Sequence, residues 1–289
     1  MRISRNHFKL FFNSLHGNIK KIYYGIVNTP ALPKTERRSP EIIVSLTSYG
    51  RRVDKTVYYT LLSILRQTVV PDKIILWLDS DNWNCNKLPL KLKKLQELGV
   101  DINFCEDIRS YKKLIPSLER YQNSIIITVD DDVIYSPYLI ETLYEAYLKD
   151  PKAIYCTRGY GVKFLKGRPE KYKKWRNIKD GSVNEGEILF PVGIGGILYP
   201  PNSLHIDVTN ERKFKQLCPS ADDIWFWYMA KLKGTPHKFV SLPDNYYSFD
   251  AIYQALHRGS ALTHSNVNEN NNDIQLKNIL DEYKYRNIR

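Results

Sequence analysis

The chain contains no run of eighteen apolar residues, so no membrane-spanning helix is expected of it. It has only four cysteines in 289 residues, with no CxxC pair and no histidine at zinc spacing. That excludes a disulfide scaffold and a Cys/His zinc site, and a reduced, cytoplasmic setting is expected. The apolar run near the start is too short and too interrupted for a secretory signal. No internal repeat occurs. A concentrated basic face, which a nucleic-acid-binding body would need, is also missing. The net charge is +12, but the first forty residues carry eight Lys or Arg against the single acid Glu36, so the remainder is only mildly basic.

What is present is an ordinary globular balance, 43% hydrophobic and 26% charged, with twenty-one tyrosines. Residues 1–40 read as a basic N-terminal extension and linker, the linker being the proline-punctuated segment 28–40. Within residues 1–27, Phe8, Leu10, Phe11, Phe12 and Leu15 lie among Arg2, Arg5, Lys9, Lys20 and Lys21. This pattern suits a basic amphipathic helix on an anionic membrane surface, at the inner face for a cytoplasmic protein; a helix packed on the body is the alternative.

Residues 41–289 read as a single α/β domain. Short apolar runs at 41–47, 73–79, 100–105 and 124–129 have the continuous hydrophobicity of buried strands. Between them lie helical patterns at 54–67, 88–99 and 111–121, and another follows at 136–150, with Ser136 as expected N-cap and Pro137 at the first helical position. The alternation predicts a doubly wound, mostly parallel sheet flanked by helices. Residues 41–150 form its first half, and 151–289 a second half closed by a C-terminal helix. Residues 159–187 are long, polar and basic, with frequent Gly and Lys, and are expected to include mobile loop; 220–234 read as a helix and 237–243 as a short strand.

Sheets of this kind bind ligands beyond the carboxyl ends of their strands. That rule puts residues 48–52, Asp79 and the triplet Asp130, Asp131 and Asp132 on one rim. In an extended segment Asp130 and Asp132 point together and Asp131 points away. Two carboxylates so placed repel unless a proton or a divalent cation intervenes, and oxygen-only donors suit Mn²⁺ or Mg²⁺. The alternative is an acidic turn favouring the next helix's N-terminus.

The segment IIITVDDDVIYSP resembles the metal-binding DxD segment of GT-A-fold glycosyltransferases, which use nucleotide-sugar donors. Other segments match that architecture in order: IIVSLTSYGRR (first strand and nucleotide loop), IILWLD (second strand), GIGGILYPP (glycine-rich donor and acceptor lining) and ADDIWFW (acidic motif opening a helix). The set is most similar to bacterial family-2-like enzymes of surface-polysaccharide and lipopolysaccharide assembly, with local likeness to exostosin-type transferases, over roughly residues 41–250.

The resemblance implies a metal held by Asp130 and Asp132, and a UDP-sugar donor. It implies donor contacts from Thr47, Tyr49, Arg51, Arg52, Asp79, Asp131, Gly195 and Gly196, and a glycan or lipid-linked acceptor. Arg51, Arg52, Lys112 and Lys113 are candidates for phosphate contact, ordinary solvated bases being the alternative. Asp222 or Asp223 is the candidate general base, against a capping box of Ser220 with Asp223. Trp225 and Trp227 suit either sugar stacking or the core. His257 and His264 are weak candidates for a further metal ligand. Two rival functions remain at this level. One is a nucleotidyltransferase on a similar sheet. The other is a non-catalytic carbohydrate- or membrane-binding protein of the same fold.

Overall fold

The computed structural model describes residues 5–33, 38–165, 168–178, 181–244, 248–249 and 270–284, without the side chains of 5–14 and 248–249. His257 and His264 lie outside the described residues. The strands are β1 (Ile42–Thr47), β2 (Lys73–Asp79), β3 (Val100–Cys105), β4 (Ile125–Thr128), β5 (Val133–Ile134), β6 (Ile154–Cys156) and β7 (Gly159–Leu165). They continue with β8 (Arg168–Pro169), β9 (Arg176–Asn177), β10 (Glu187–Pro191), β11 (Ile197–Tyr199), β12 (His237–Phe239) and β13 (Ser248–Phe249). Helices are α1 (Arg5–Ile26), α2 (Arg52–Lys55), α3 (Val57–Ile64), α4 (Leu90–Glu97) and α5 (Ile115–Arg120). After them come α6 (Leu139–Lys149), α7 (Glu211–Leu217), α8 (Asp222–Lys233) and α9 (Asn271–Glu282).

Seven strands form the main sheet in the order β12-β6-β11-β4-β1-β2-β3. β1 pairs in parallel with β2 and β4, β2 with β3, and β12 with β6, while β11 runs antiparallel to β4 and β6. The expected mostly parallel α/β sheet is therefore the observed one. Both faces are covered, because alternate residues of one strand enter different cores. Ile42, Val44 and Leu46 pack with α3, α4 and α6, whereas Ile43 packs with Ile75 and Trp77. Farther along the sheet, Ile126, Ile154 and Tyr199 pack with α5, α7 and α8. This double burial explains why the strands read as continuous apolar runs.

Three local readings are corrected. The helix expected at 54–67 is broken at Thr56 into α2 and α3. Ser136 does not cap α6: Tyr138 occupies the N-cap position without a side-chain bond, and Ser136 Oγ donates to Asp244 Oδ2 at 2.9 Å. Ala221, not Ser220, precedes α8, again without a side-chain cap, so the capping box of Ser220 and Asp223 does not form. Within residues 159–191 the structure also holds strands that the sequence did not announce: β7 pairs with β8, β9 and β10 in a second, antiparallel sheet. Its apolar signal was diluted by Gly159, Gly161 and Lys163, yet Val162, Trp175 and Ile178 are buried.

Helix α8 is apolar all round from Ile224 to Ala230, and every one of those residues is buried. Trp225 Nε1 donates to the Val208 carbonyl at 3.0 Å and Trp227 Nε1 to that of Leu189 at 2.9 Å. These tryptophans belong to the core, not to a sugar platform. Gly234, at φ 82°, ends the helix in the left-handed conformation that glycine adopts without strain. A helix seated so firmly at its centre gives its first turn, with Asp222 and Asp223, a fixed position.

Candidate active site

The C-terminal ends of β1, β2 and β4 lie side by side, since β1 pairs in parallel with both neighbours. The reversed strand β11 begins at the same rim, because Ile197 pairs with Thr128 and Cys156. Sheet topology thus gathers the loop after Thr47, the aspartate triplet and the glycine-rich turn Gly193–Gly195. Helix α8 and the 3-10 turn Arg109–Lys113 bring Asp222, Asp223 and Lys113 to the same place.

Strand β4 stops at Thr128, and Asp131 and Asp132 lie in a turn. The alternation expected of an extended segment therefore does not hold. Asp131 and Asp132 instead share one cation: Arg52 Nη1 is 2.7 Å from Asp131 Oδ1 and 3.2 Å from Asp132 Oδ2. Ser48 Oγ donates to Asp131 Oδ2 at 2.6 Å. Burial raises the Asp131 pKa, opposed by Arg52 and Ser48. Asp130 turns the other way, with Oδ1 3.3 Å from Lys113 Nζ and its side chain 30% exposed.

Lys113 is the hub. Its buried ammonium lies 2.8 Å from Asp222 Oδ2 and 3.3 Å from Asp223 Oδ1, in addition to Asp130. Burial alone would lower its pKa, but the three carboxylates hold it well above the ordinary value. Asp222 is nearly enclosed and accepts from Ser110 Oγ at 2.9 Å. Asp223 is more open, its side chain 26% exposed, and accepts from the Gly193 N–H at 2.9 Å. Desolvation raises its pKa to about 6; Lys113 pulls downward, while Asp222 and Asp130 push up.

Tyr135 ties the acidic turn to the glycine turn. Its hydroxyl accepts from the Asp130 N–H at 2.8 Å and donates to the Ile194 carbonyl at 3.2 Å. A Cβ on Gly193 would lie 2.7 Å from both Asp223 Oδ1 and Lys113 Nζ, so those side-chain ends would have to shift. Gly196 sits at φ 87°, a left-handed conformation.

The structure thus brings together Arg52, Lys113, Asp130, Asp131, Asp132, Asp222 and Asp223 among the candidates. Arg52 and Lys113 are neither solvated nor free for phosphate as they stand, because carboxylates engage both. Lys112 is buried and paired with Asp107 outside this cluster, whereas Arg51 is exposed. Thr47 Oγ1 donates to the Trp77 carbonyl at 2.9 Å, and Asp79 accepts from Asn82 Nδ2 at 2.7 Å. Tyr49 is exposed under the Arg52 guanidinium, 5.2 Å from ring centroid to carbon. Gly195 lies in the turn against Arg158. Sequence reasoning missed Ser48, Ser110 and Tyr135, whose only signal was proximity to the rim segments.

Five carboxylates here face two cations within ion-pair distance. Such an excess of negative charge suits a divalent cation, and hard carboxylate oxygens are the donors Mg²⁺ and Mn²⁺ prefer. Among the described residues no three His, Cys, Asp or Glu side chains form a ready-made metal cage.

No family model matches the sequence, and no curated protein matches it. Solved structures do resemble the chain. One is CMP:2-keto-3-deoxy-manno-octonic acid synthetase complexed with CTP, at TM-score 0.43 and 11% identity over 71% of this chain and 90% of that one. Another is S. aureus TarS 1–349 in complex with UDP, at 0.45 and 14% over 72% of this chain and 59% of that one. A third is Mycobacterium tuberculosis glucosyl-3-phosphoglycerate synthase with Mg²⁺ and UDP, at 0.32 and 16% over 40% of this chain and 43% of that one. The chain spans about half the length of these last two proteins. At such TM-scores the likenesses carry no argument about chemistry, which rests on the side chains above.

Proposed function

We propose that the protein is a metal-dependent GT-A-type glycosyltransferase that moves a sugar from a nucleotide-sugar donor, UDP-sugars foremost, to a glycan or lipid-linked acceptor in surface-polysaccharide assembly. One observation carries this reading: Lys113 joins the aspartate turn after β4 to the two aspartates opening α8. Donor-side and acceptor-side acids therefore share one site. Asp130 and Asp132 would hold the cation, Asp130 being the more accessible; because Asp132 pairs with Arg52 and Asp130 with Lys113 as they stand, both reach one ion only when those pairings give way. Bound there, a divalent cation would offset the charge developing on the leaving diphosphate.

Asp223 is the general base. It is the more open member of its pair, is oriented by the Gly193 N–H, and has a pKa of about 6, which suits proton abstraction near neutrality. As the acceptor hydroxyl bonds to the anomeric carbon, its proton passes to the Asp223 carboxylate. The bond from that carbon to the phosphate oxygen breaks, and the electron pair leaves with the nucleoside diphosphate. Asp222, enclosed between Ser110 and Lys113, positions the lysine.

The test is incubation with a panel of nucleotide sugars and Mn²⁺, with chelated controls. Release of nucleoside diphosphate with sugar transfer supports the reading. Release of pyrophosphate from a nucleoside triphosphate and a sugar acid would assign a nucleotidyltransferase instead. Binding without turnover across donors and acceptors would leave a carbohydrate-binding protein.

A further inference from the structure

Helix α1 is docked with its faces reversed. Gly17, Lys20, Lys21 and Tyr24 lie toward the body, and Tyr24 is buried. The Arg66 guanidinium stacks 4.6 Å from the Tyr24 ring centroid, and Lys21 Nζ lies 5.1 Å from that of Tyr59. Arg66 Nη2 also donates to the Val27 carbonyl at 3.0 Å and to Thr29 Oγ1 at 3.1 Å. Polar groups thus fasten the end of the helix, while its aliphatic residues look outward. Leu15, Ile19, Ile22 and Ile26 are all exposed, the last two to 65% and 78%, with Tyr23 beside them. At 3.6 residues per turn these four positions fall within about 60° of one another. In sequence the same spacing continues back through Phe12 and Phe8.

A surface helix ordinarily turns its apolar stripe to the core. This one presents it to solvent, which marks a surface awaiting a partner. The charge around the stripe selects that partner. Residues 1–35 contain no acid, and α1 itself carries Arg5, Lys9, Lys20 and Lys21. A second copy pairing along the stripe would bring like charges together, without the acids that could match them. An anionic bilayer matches both properties, apolar at the acyl boundary and negative at the headgroups. We propose that α1 is an in-plane anchor whose Leu15–Ile19–Ile22–Ile26 stripe enters an anionic lipid surface, seating the body on the membrane. This inference is independent of the transferase reading.

The test is co-sedimentation of the full chain with phosphatidylcholine vesicles, with and without phosphatidylglycerol, at low salt. The wild type should partition onto the phosphatidylglycerol vesicles and less onto pure phosphatidylcholine. The Ile19→Asn/Ile22→Asn double variant should bind about tenfold more weakly or worse, as expected when apolar area is removed from an interfacial helix. Both side chains are exposed, so its circular dichroism should match the wild type. Ile26→Asn, at the most exposed stripe position, gives a second reading if the double variant misfolds. Failure of the wild type to bind phosphatidylglycerol vesicles would overturn the proposal, as would undiminished binding by the variants. A concentration-dependent dimer dissolved by the same substitutions would assign the stripe to a second copy.

Discussion

Lys113 is the residue on which the site turns, and its buried charge is tolerable only because three carboxylates surround it. Replacing it with methionine would leave those acids facing one another without a cation. Lys113→Met should destabilise the fold by roughly 3–5 kcal/mol, the usual cost of breaking a buried pair from one side, measured by urea unfolding. Asp223→Asn should keep donor affinity by calorimetry yet lower transfer by about 10²–10⁴-fold, the contribution typical of a positioned base. The pH profile follows from the raised pKa of Asp223. Its reactive form is the carboxylate, so kcat/KM should climb with pH up to about 6 and level off above it. A profile already flat from pH 4 would remove Asp223 from the role. The clustered acids were legible in the sequence because they are adjacent in the chain. Lys113 as their counter-ion was not, since its partners lie 17, 109 and 110 positions away. It read as one more base for phosphate.

At the scale of elements, the glycine turn before β11 meets the first turn of α8 at Gly193, whose N–H reaches Asp223. A Cβ there would press on the ends of Asp223 and Lys113, which can move, rather than on backbone. Gly193→Ala should therefore change thermal stability little but lower transfer by roughly 10²-fold, as a displacement of about an ångström at a reacting group can. A fully active variant would show that the close contact is not needed. Element type was readable wherever hydrophobic period and length agreed, as in β1, β2, β3 and α4. It failed where tertiary contacts decide. Asp130 to Asp132 left the extended conformation because β4 ends early and Arg52 and Lys113 draw the acids to opposite sides. The sheet of β7 to β10 was hidden because its apolar residues are spaced by glycine and lysine. The caps expected of Ser136 and Ser220 were claimed by other bonds, to Asp244 and Gln275.

For the whole molecule, alternating apolar runs and helical patterns dictated a parallel sheet, and a parallel sheet dictates one binding rim. The reversal of β11 was not legible, since three buried residues carry no directional signal, yet it brings Gly193 beside the aspartates. The rim carries the acids, and α1 carries an exposed apolar stripe with only basic charge. The central claim is that the aspartate turn binds a nucleoside diphosphate through a divalent cation. Calorimetric titration of UDP into the wild type and Asp132→Asn, with Mn²⁺ and after chelation, tests it most directly. The account predicts binding by the wild type that requires Mn²⁺ and is lost in the folded variant. Equal affinity in the two proteins, or affinity indifferent to chelation, would contradict it.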